Sequence, residues 1–138
     1  LWLPWPQALQ GRLFHDHNRL IGSVRATPED KQQVAAVIAG KLNQARGPTA
    51  FVMPLGGVNE WDRPGGVMHD AGGIARFADA MRTGLAKHIE YLPVAGHIND
   101  AVFAEAVLQL FDRWVAQGQI VPANDGADER VGRSGSSG

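Results

Sequence analysis

The segment 49–57 constrains the fold more than any other part of the chain. It reads TAFVMPLGG, a run of small and apolar residues that ends in a glycine pair. An apolar run without alternation is typical of a strand that is covered on both faces. Gly56 and Gly57 can adopt a positive φ and leave room beside the backbone. We therefore expect a buried strand over 49–53, in the middle of a parallel sheet, that stops at a tight turn.

Helical patterns flank this segment on both sides. Thr27 and Pro28 begin the first helix as N-cap and first helical residue, and Gly47-Pro48 follows its end. This helix is expected to bury the apolar residues Val34, Val37, Ile38 and Leu42. The second is expected to bury Ile74, Phe77, Ala78, Met81 and Leu85. The last helix, capped by Asn99 or Asp100, is expected to bury Phe103, Val107, Leu110, Phe111 and Trp114.

The order of the elements predicts the fold class. Residues 20–25 and 89–95 are expected strands, the latter at an edge because of its proline, and residues 13–18 form a strand or a loop. Strands that alternate with helices favour parallel pairing with right-handed crossovers. The prediction is an α/β domain over 13–120 with a small, mainly parallel sheet. An irregular segment over 1–12 precedes the domain, and a flexible tail over 121–138 follows it.

The composition excludes several classes of protein. A net charge of -1 argues against a nucleic-acid binder that neutralises phosphates. The chain has no cysteine, and therefore no disulfide or zinc–thiolate site. No apolar run is long enough to span a membrane, so a cytoplasmic location is expected. Trp2, Trp5 and the small sheet predict an open apolar surface or a homo-oligomer.

Polar residues follow each expected strand, where the carboxyl ends of parallel strands meet helix N-termini. This edge suits a small anionic ligand. The candidate binding residues are Arg25, Thr27, Gly56, Gly57, Asp62, His97, Asn99 and Asp100. The prediction is that the His97 ring and the Asn99 side chain face the same cleft as the two glycines. The alternative is that these polar groups only cap helices and close turns, in a module for assembly without chemistry.

Other histidines and acids have simpler explanations. His15 and His17 would share one face of an extended segment, which can begin a metal site, but no third ligand has a fixed spacing to them. Asp70 is expected to cap the second helix. Asp62 and His69 lie in the long connection between strand and helix, and an ordered loop there could act as a lid.

Four phrases, in their order and spacing, resemble a known family. They are RLFHDHN at 12–18, RATPED at 25–30, the stretch 47–65 with its MPLGG and DRPG, and HIND at 97–100. Together they are similar to the family of the tomato mosaic virus resistance protein, often labelled Tm-one-like ATP-binding. Bacterial members of that family have no assigned reaction. The resemblance covers about residues 10–116.

The resemblance implies a Rossmann-like three-layer sandwich, of which this chain is the last part of the second of two lobes. It also implies ATP as the ligand and oligomers as the assembled state. The upstream lobe would supply much of the ATP site, and the chain has no complete GxGxxG or GxxxxGK[ST] motif. We therefore expect this chain alone to bind ATP weakly or not at all.

Overall fold

The computed structural model describes residues 6–18 and 20–120. The strands are β1 (Phe14–Asp16), β2 (Gly22–Val24), β3 (Ala50–Pro54) and β4 (Glu90–Val94). The helices are α1 (Pro28–Leu42), α2 (Ala71–Gly84) and α3 (Ala101–Ala116), with a short 3₁₀ turn over Gln7–Leu9. The packing of Trp2 and Trp5 and the tail over 121–138 lie outside the described residues.

The strand β3 pairs in parallel with β4. Ala50 lies opposite Glu90, and Pro54 lies opposite Val94. The apolar run at 49–53 therefore forms the expected parallel strand, and helix α2 supplies the crossover between the two strands. The fold is mixed α/β, consistent with an incomplete α/β sandwich.

The segment around β2 does not join this sheet, and the prediction that it would was wrong. In the described residues, β2 pairs only with β1, in an antiparallel hairpin that places Phe14 opposite Val24. The short connection 17–21 places β1 directly beside β2 and makes their pairing antiparallel, since parallel strands need a crossover of a dozen or more residues; β2 therefore finds its partner next to it in the chain. The Asn18 side chain closes this turn by accepting the backbone N–H groups of Leu20 and Ile21.

The core lies where α1 and α2 pack together against the sheet. Ala35 and Ala39 on α1 and Met81 on α2 are 2% exposed or less. The small alanine side chains let α2 approach closely, and Phe51 and Tyr91 pack against this cluster from the strands. Helix α2 behaves as expected, with Met81 and Ala78 buried.

The expected buried face of α1 was partly wrong. Val34 and Val37 are 51% and 58% exposed, whereas Ile38 and Leu42 do pack against the core. The periodicity of 3.6 residues explains the shift, because Ala35 and Ala39 share a face with Ile38 and Leu42. The prediction named the large residues Val34 and Val37, which lie beside the buried face, and not the small residues Ala35 and Ala39, which form it.

Helix α3 buries one narrow side. Leu110 is 5% exposed, and Phe103 and Trp114 are half-buried, while Arg113 ties the helix to Glu90 of β4 with a 2.5 Å ion pair. The expected burial of Val107 and Phe111 was wrong, since they are 38% and 49% exposed. They belong to a second stripe with helical spacing, which we call the outer stripe: Ala104, Val107, Leu108, Phe111 and Val115.

The helix caps agree with the sequence. Thr27 and Asp30 form a capping box, in which each side chain accepts the backbone N–H of the other residue at 3.1 and 2.9 Å. Asp70 caps α2 by accepting the N–H of Gly73 at 2.9 Å. Asp100 is the N-cap residue of α3, but its side chain makes no capping hydrogen bond. Within the described residues, no helix has the length and apolar character needed to cross a membrane.

Candidate functional site

The loops that follow β3 and β4 are joined beyond the ends of the strands. The N–H of Gly56 donates to the carbonyl of Gly96 at 2.7 Å, and the N–H of Ile98 donates to the carbonyl of Gly57 at 3.0 Å. These bonds continue the strand pairing into the turns. The long loop (residues 55–70) and the turn 96–100 therefore form one edge, at the position where a ligand site was expected.

The glycine pair is required by the close approach of other parts of the protein. A Cβ atom on Gly56 would lie 2.6 Å from the carbonyl carbon of Gly96. Gly57 has a φ of +114°, and a Cβ there would overlap the carboxylate of Asp62. Both glycines are thus explained by packing between the two loops.

The Asp62 carboxylate closes the start of the long loop. Its oxygens accept the N–H of Val58 at 3.0 and 3.1 Å and the N–H of Asn59 at 3.2 Å. The Asn59 side chain in turn accepts the N–H groups of Trp61 and Asp62, both at 3.1 Å. The loop is held by these local turns, in the manner typical of Asx motifs.

His97 links the two loops from a buried position. His97 is 2% exposed. Nδ1 accepts the N–H of Asn99 at 3.1 Å, and Nε2 lies 2.9 Å from the carbonyl oxygen of Asn59. Since a carbonyl can only accept, the proton is assigned to Nε2 and the ring is neutral. An Asp62 oxygen lies 3.6 Å from the same Nε2.

Charged groups surround the turn that contains His97. Arg63 donates to Glu60 at 2.7 and 3.1 Å and to Asp100 at 2.9 Å. Asn99 donates from its side chain to Glu60 at 2.8 Å, and Asp100 also accepts the N–H of His97 at 2.8 Å. We call the whole set the polar clamp: Asn59, Glu60, Asp62, Arg63, His97, Asn99 and Asp100.

The clamp lowers the pKa values of Glu60 and Asp100. Hydrogen bonds from Arg63, and then from Asn99, lower the pKa of Glu60 to about 2. The backbone N–H of His97, followed by Arg63, lowers the pKa of Asp100. The two carboxylates in turn raise the pKa of Arg63. The clamp is thus a charged network whose groups find their partners within the two loops.

Arg25 and Thr27 lie at the other end of the long loop. Arg25 donates to the carbonyl of His69 at 3.0 Å, and its buried Nε has no hydrogen-bond acceptor among the described residues. The Thr27 side chain is occupied by the capping box. The structure therefore brings six of the candidate residues together, namely Gly56, Gly57, Asp62, His97, Asn99 and Asp100, and leaves Arg25 and Thr27 apart from them.

A cavity of about 240 Å³ lies beneath the long loop. It is bordered by the end of β3 and by the first turns of α1 and α2. Its apolar walls are formed by Met53, Pro54, Val58, Met68, Ile74 and Phe77. Lys31, Asp62 and Asp70 supply its charged groups, and Gly57 and Gly73 its backbone. Gly57 and Asp62 thus border the cavity, whereas His97 and Asn99 are not part of its lining.

Lys31 and Asp70 form an ion pair of 2.5 Å at this cavity. The hydrogen bond from Lys31, and then the N–H of Gly73, lower the pKa of Asp70. A Cβ on Gly73 would collide with the Lys31 ammonium, so the glycine makes room for this pair. Lys31 was not among the residues predicted from the sequence. Its position is a signal, because a cation in the first turn of a helix opposes the macrodipole and needs another reason to be there.

The two histidines of the β1 hairpin contact the long loop. The rings of His15 and His17 lie 5.0 and 4.6 Å from the ring of Trp61, which confirms that they share a face. No cluster of three or more metal-ligating side chains occurs within residues 6–18 and 20–120. These histidines therefore pack against the loop.

Comparisons with known proteins support the resemblance seen in the sequence. The model described as "Uncharacterised protein family (UPF0261) C-terminal domain" matches residues 3–115. A UPF0261 protein of Brucella melitensis is 43% identical over 89% of this chain and 29% of its own length. A UPF0261 protein of Rhizobium meliloti is 35% identical over 80% of this chain and 29% of its own length.

A plant protein is also similar. The ToMV resistance protein Tm-1 of Solanum lycopersicum is 32% identical over 77% of this chain and 14% of its own length. The chain thus spans less than a third of the length of these curated relatives.

Proposed function

Since the chain belongs to the UPF0261 family, we propose that it binds a small anionic ligand at the carboxyl end of β3, with a nucleotide such as ATP as the specific candidate. The observation that carries the proposal is the cavity of about 240 Å³ with Lys31 at its side. In parallel α/β sheets, ligands bind beyond the carboxyl ends of the strands. ATP itself is suggested by the resemblance to an ATP-binding family.

The charges at the cavity favour an anion despite the two acids there. The Asp62 oxygens are occupied by the N–H groups of Val58 and Asn59, and Asp70 is occupied by Lys31 and Gly73. An ammonium has three donors, and Asp70 is the partner recorded for Lys31 in the described residues. The N-terminus of α2, with its positive dipole end, adjoins the same space, although the N–H groups of Gly73 and Ile74 that face it donate to Asp70.

The size of the cavity limits how much of a nucleotide it can hold. Pockets that bury a drug-sized ligand have volumes of roughly 300–1,000 Å³, so this one has room for only part of ATP. The remainder would lie against other parts of a longer family member. This agrees with the expectation that the present chain binds ATP weakly or not at all.

Calorimetry with inorganic phosphate and ATP tests the proposal. We expect phosphate to bind with millimolar affinity and Lys31→Met to weaken it about ten-fold, the effect of losing one charge-assisted hydrogen bond. Lys41→Met, an exposed lysine of the same helix, is the matched control and should bind as the wild type does. Equal affinity in all three proteins, or no anion binding at all, would contradict the proposal.

The outer stripe of α3 favours a second function, an assembly module. Leu108 is 61% exposed and Phe111 is 49% exposed, and exposed apolar patches usually mark contact sites. On this view the chain associates with itself. Sedimentation velocity of Leu108→Lys, with Gln109→Lys as the exposed neighbouring control, tests it. Association lost only in Leu108→Lys supports the module, and a monomeric wild type at all concentrations excludes it for this chain.

A further inference from the structure

The lining of the cavity at Lys31 indicates a more specific ligand than an anion alone. We propose that it binds a monocarboxylate with a compact apolar body, such as a benzene ring or a branched aliphatic chain. The apolar body would occupy the cavity, and the carboxylate would accept a hydrogen bond from Lys31. This inference rests on the proposed anion site, and in place of the nucleotide candidate it names a class of ligand that the cavity can hold entirely.

The walls carry the first step of the argument. The side chains of Met53, Met68, Ile74 and Phe77 offer hydrocarbon, thioether and an aromatic face. Methionine adapts its shape and makes favourable contacts with aromatic rings. Burial of an apolar group gains about 25 cal/mol per Å², whereas a buried phosphate dianion would lose hydration with few donors to replace it. The walls therefore favour a ligand that is mostly hydrocarbon.

The volume sets the size of that body. An apolar cavity of about 150 Å³ is known to bind benzene in another protein. The present cavity of about 240 Å³ has room for such a ring with one small polar substituent. A ligand of the size of benzoate fits this limit, and a complete nucleotide exceeds it.

The charges determine the polar substituent. The Lys31 side chain is 18% exposed, so its ammonium is poorly hydrated on the cavity side. Asp70 already neutralises much of the charge on the Lys31 ammonium. A singly charged carboxylate is therefore better matched to the remaining donors of the ammonium than a doubly charged phosphate is. The Asp62 oxygens accept hydrogen bonds from the N–H groups of Val58 and Asn59. A ligand carboxylate is therefore repelled less by Asp62 than it would be by an acid without such donors.

A set of four probes tests each part of the proposal by calorimetry on this chain. Benzoate has both ring and charge, acetate has the charge, benzyl alcohol has the ring, and inorganic phosphate has charge without an apolar body. We expect benzoate to bind at least about ten-fold more tightly than either acetate or benzyl alcohol. Lys31→Met should reduce the affinity for benzoate to that for benzyl alcohol, and Lys41→Met should leave the affinity for benzoate unchanged.

Variants that fill the cavity locate the ring. Ile74→Phe should weaken benzoate binding, and Met68→Phe, in the loop, serves as a second variant if the first is poorly folded by circular dichroism. Benzoate affinity that is unchanged in both folded variants would place the ring elsewhere and overturn the inference.

The failures of the two proposals are distinguishable. If phosphate binds in a Lys31-dependent way and benzoate binds no better than acetate, the anion site stands and the present inference is overturned. If none of the anions binds, or if Lys31→Met has no effect on any of them, both are overturned.

Discussion

The polar clamp and the cavity both border the long loop and share Asp62, and they differ in how their polar groups are used. In the clamp, His97, Asn99 and Asp100 each have partners within the two loops. At the cavity, Lys31 is set among apolar walls with one recorded acidic partner. Polar residues that cluster at strand ends can therefore serve mainly to hold the loops together. Lys31, whose ammonium has three donors and donates to Asp70, lies on the neighbouring helix α1.

The strongest test of the clamp concerns the packing of Gly57 against Asp62. Gly57→Ala should destabilise the protein by about 4 kcal/mol, because the added methyl group combines an unfavourable φ with a collision with Asp62. Gly65→Ala is the matched control, since Gly65 also has a positive φ, of +85°, but open space around it. It should cost only about 1 kcal/mol. Chemical denaturation measures both, and equal losses would show that the close contact contributes nothing.

The next largest effect is expected at His97. His97→Ala leaves the carbonyl of Asn59 and the N–H of Asn99 without their buried partner, which should cost about 3 kcal/mol in unfolding free energy. His97→Gln keeps a donor and should recover part of it. His88→Ala, at an exposed histidine before β4, should change stability by less than about 0.5 kcal/mol. If His97→Ala is as stable as His88→Ala, the clamp is not structural.

A smaller effect is expected from the pH dependence of the clamp. Hydrogen bonds lower the pKa of Glu60 from 4.5 to about 2 in the folded protein. Its contribution to stability is therefore fully present above pH 4.5 and is lost as the pH falls toward 2. Melting temperatures across this range should fall less steeply for Glu60→Gln than for the wild type. Glu105→Gln, at an exposed glutamate of α3, is the control, and identical curves for all three would contradict the expectation.

The sequence predicted the elements better than their partners. The apolar run at 49–53, the N-cap at Thr27 and the cap at Asp70 follow from local patterns, and the structure confirms them. The hairpin of β1 and β2 was not predicted, because alternation of strands and helices does not reveal which strands pair. The buried faces of α1 and α3 were partly wrong because large apolar residues occur on more than one side of each helix.

The candidate site shows the same limit. The sequence placed Gly56, Gly57 and His97 at one edge because their positions follow parallel strands, and the structure brings them together there. It could not show that His97 bonds to Asn59, since that contact depends on how the long loop folds back. Lys31 reaches the cavity through the packing of α1 on α2, and its place in the first turn of α1 indicates an unusual role but not which cavity it borders. That these residues bind a ligand stays a prediction.

The ring nitrogens of His97 provide the most direct test of the account, whose central claim is that this residue holds the loops while the anion binds beside Lys31. A long-range ¹H–¹⁵N spectrum distinguishes the tautomers and the charged form of a histidine ring. We predict a neutral ring with the proton on Nε2, and no change of that state when phosphate or benzoate is added. A ring protonated on Nδ1 would contradict the hydrogen bonds by which His97 holds the loops, and a ring that gains a proton as the anion binds would show that His97 responds to the ligand; either result would contradict the claim.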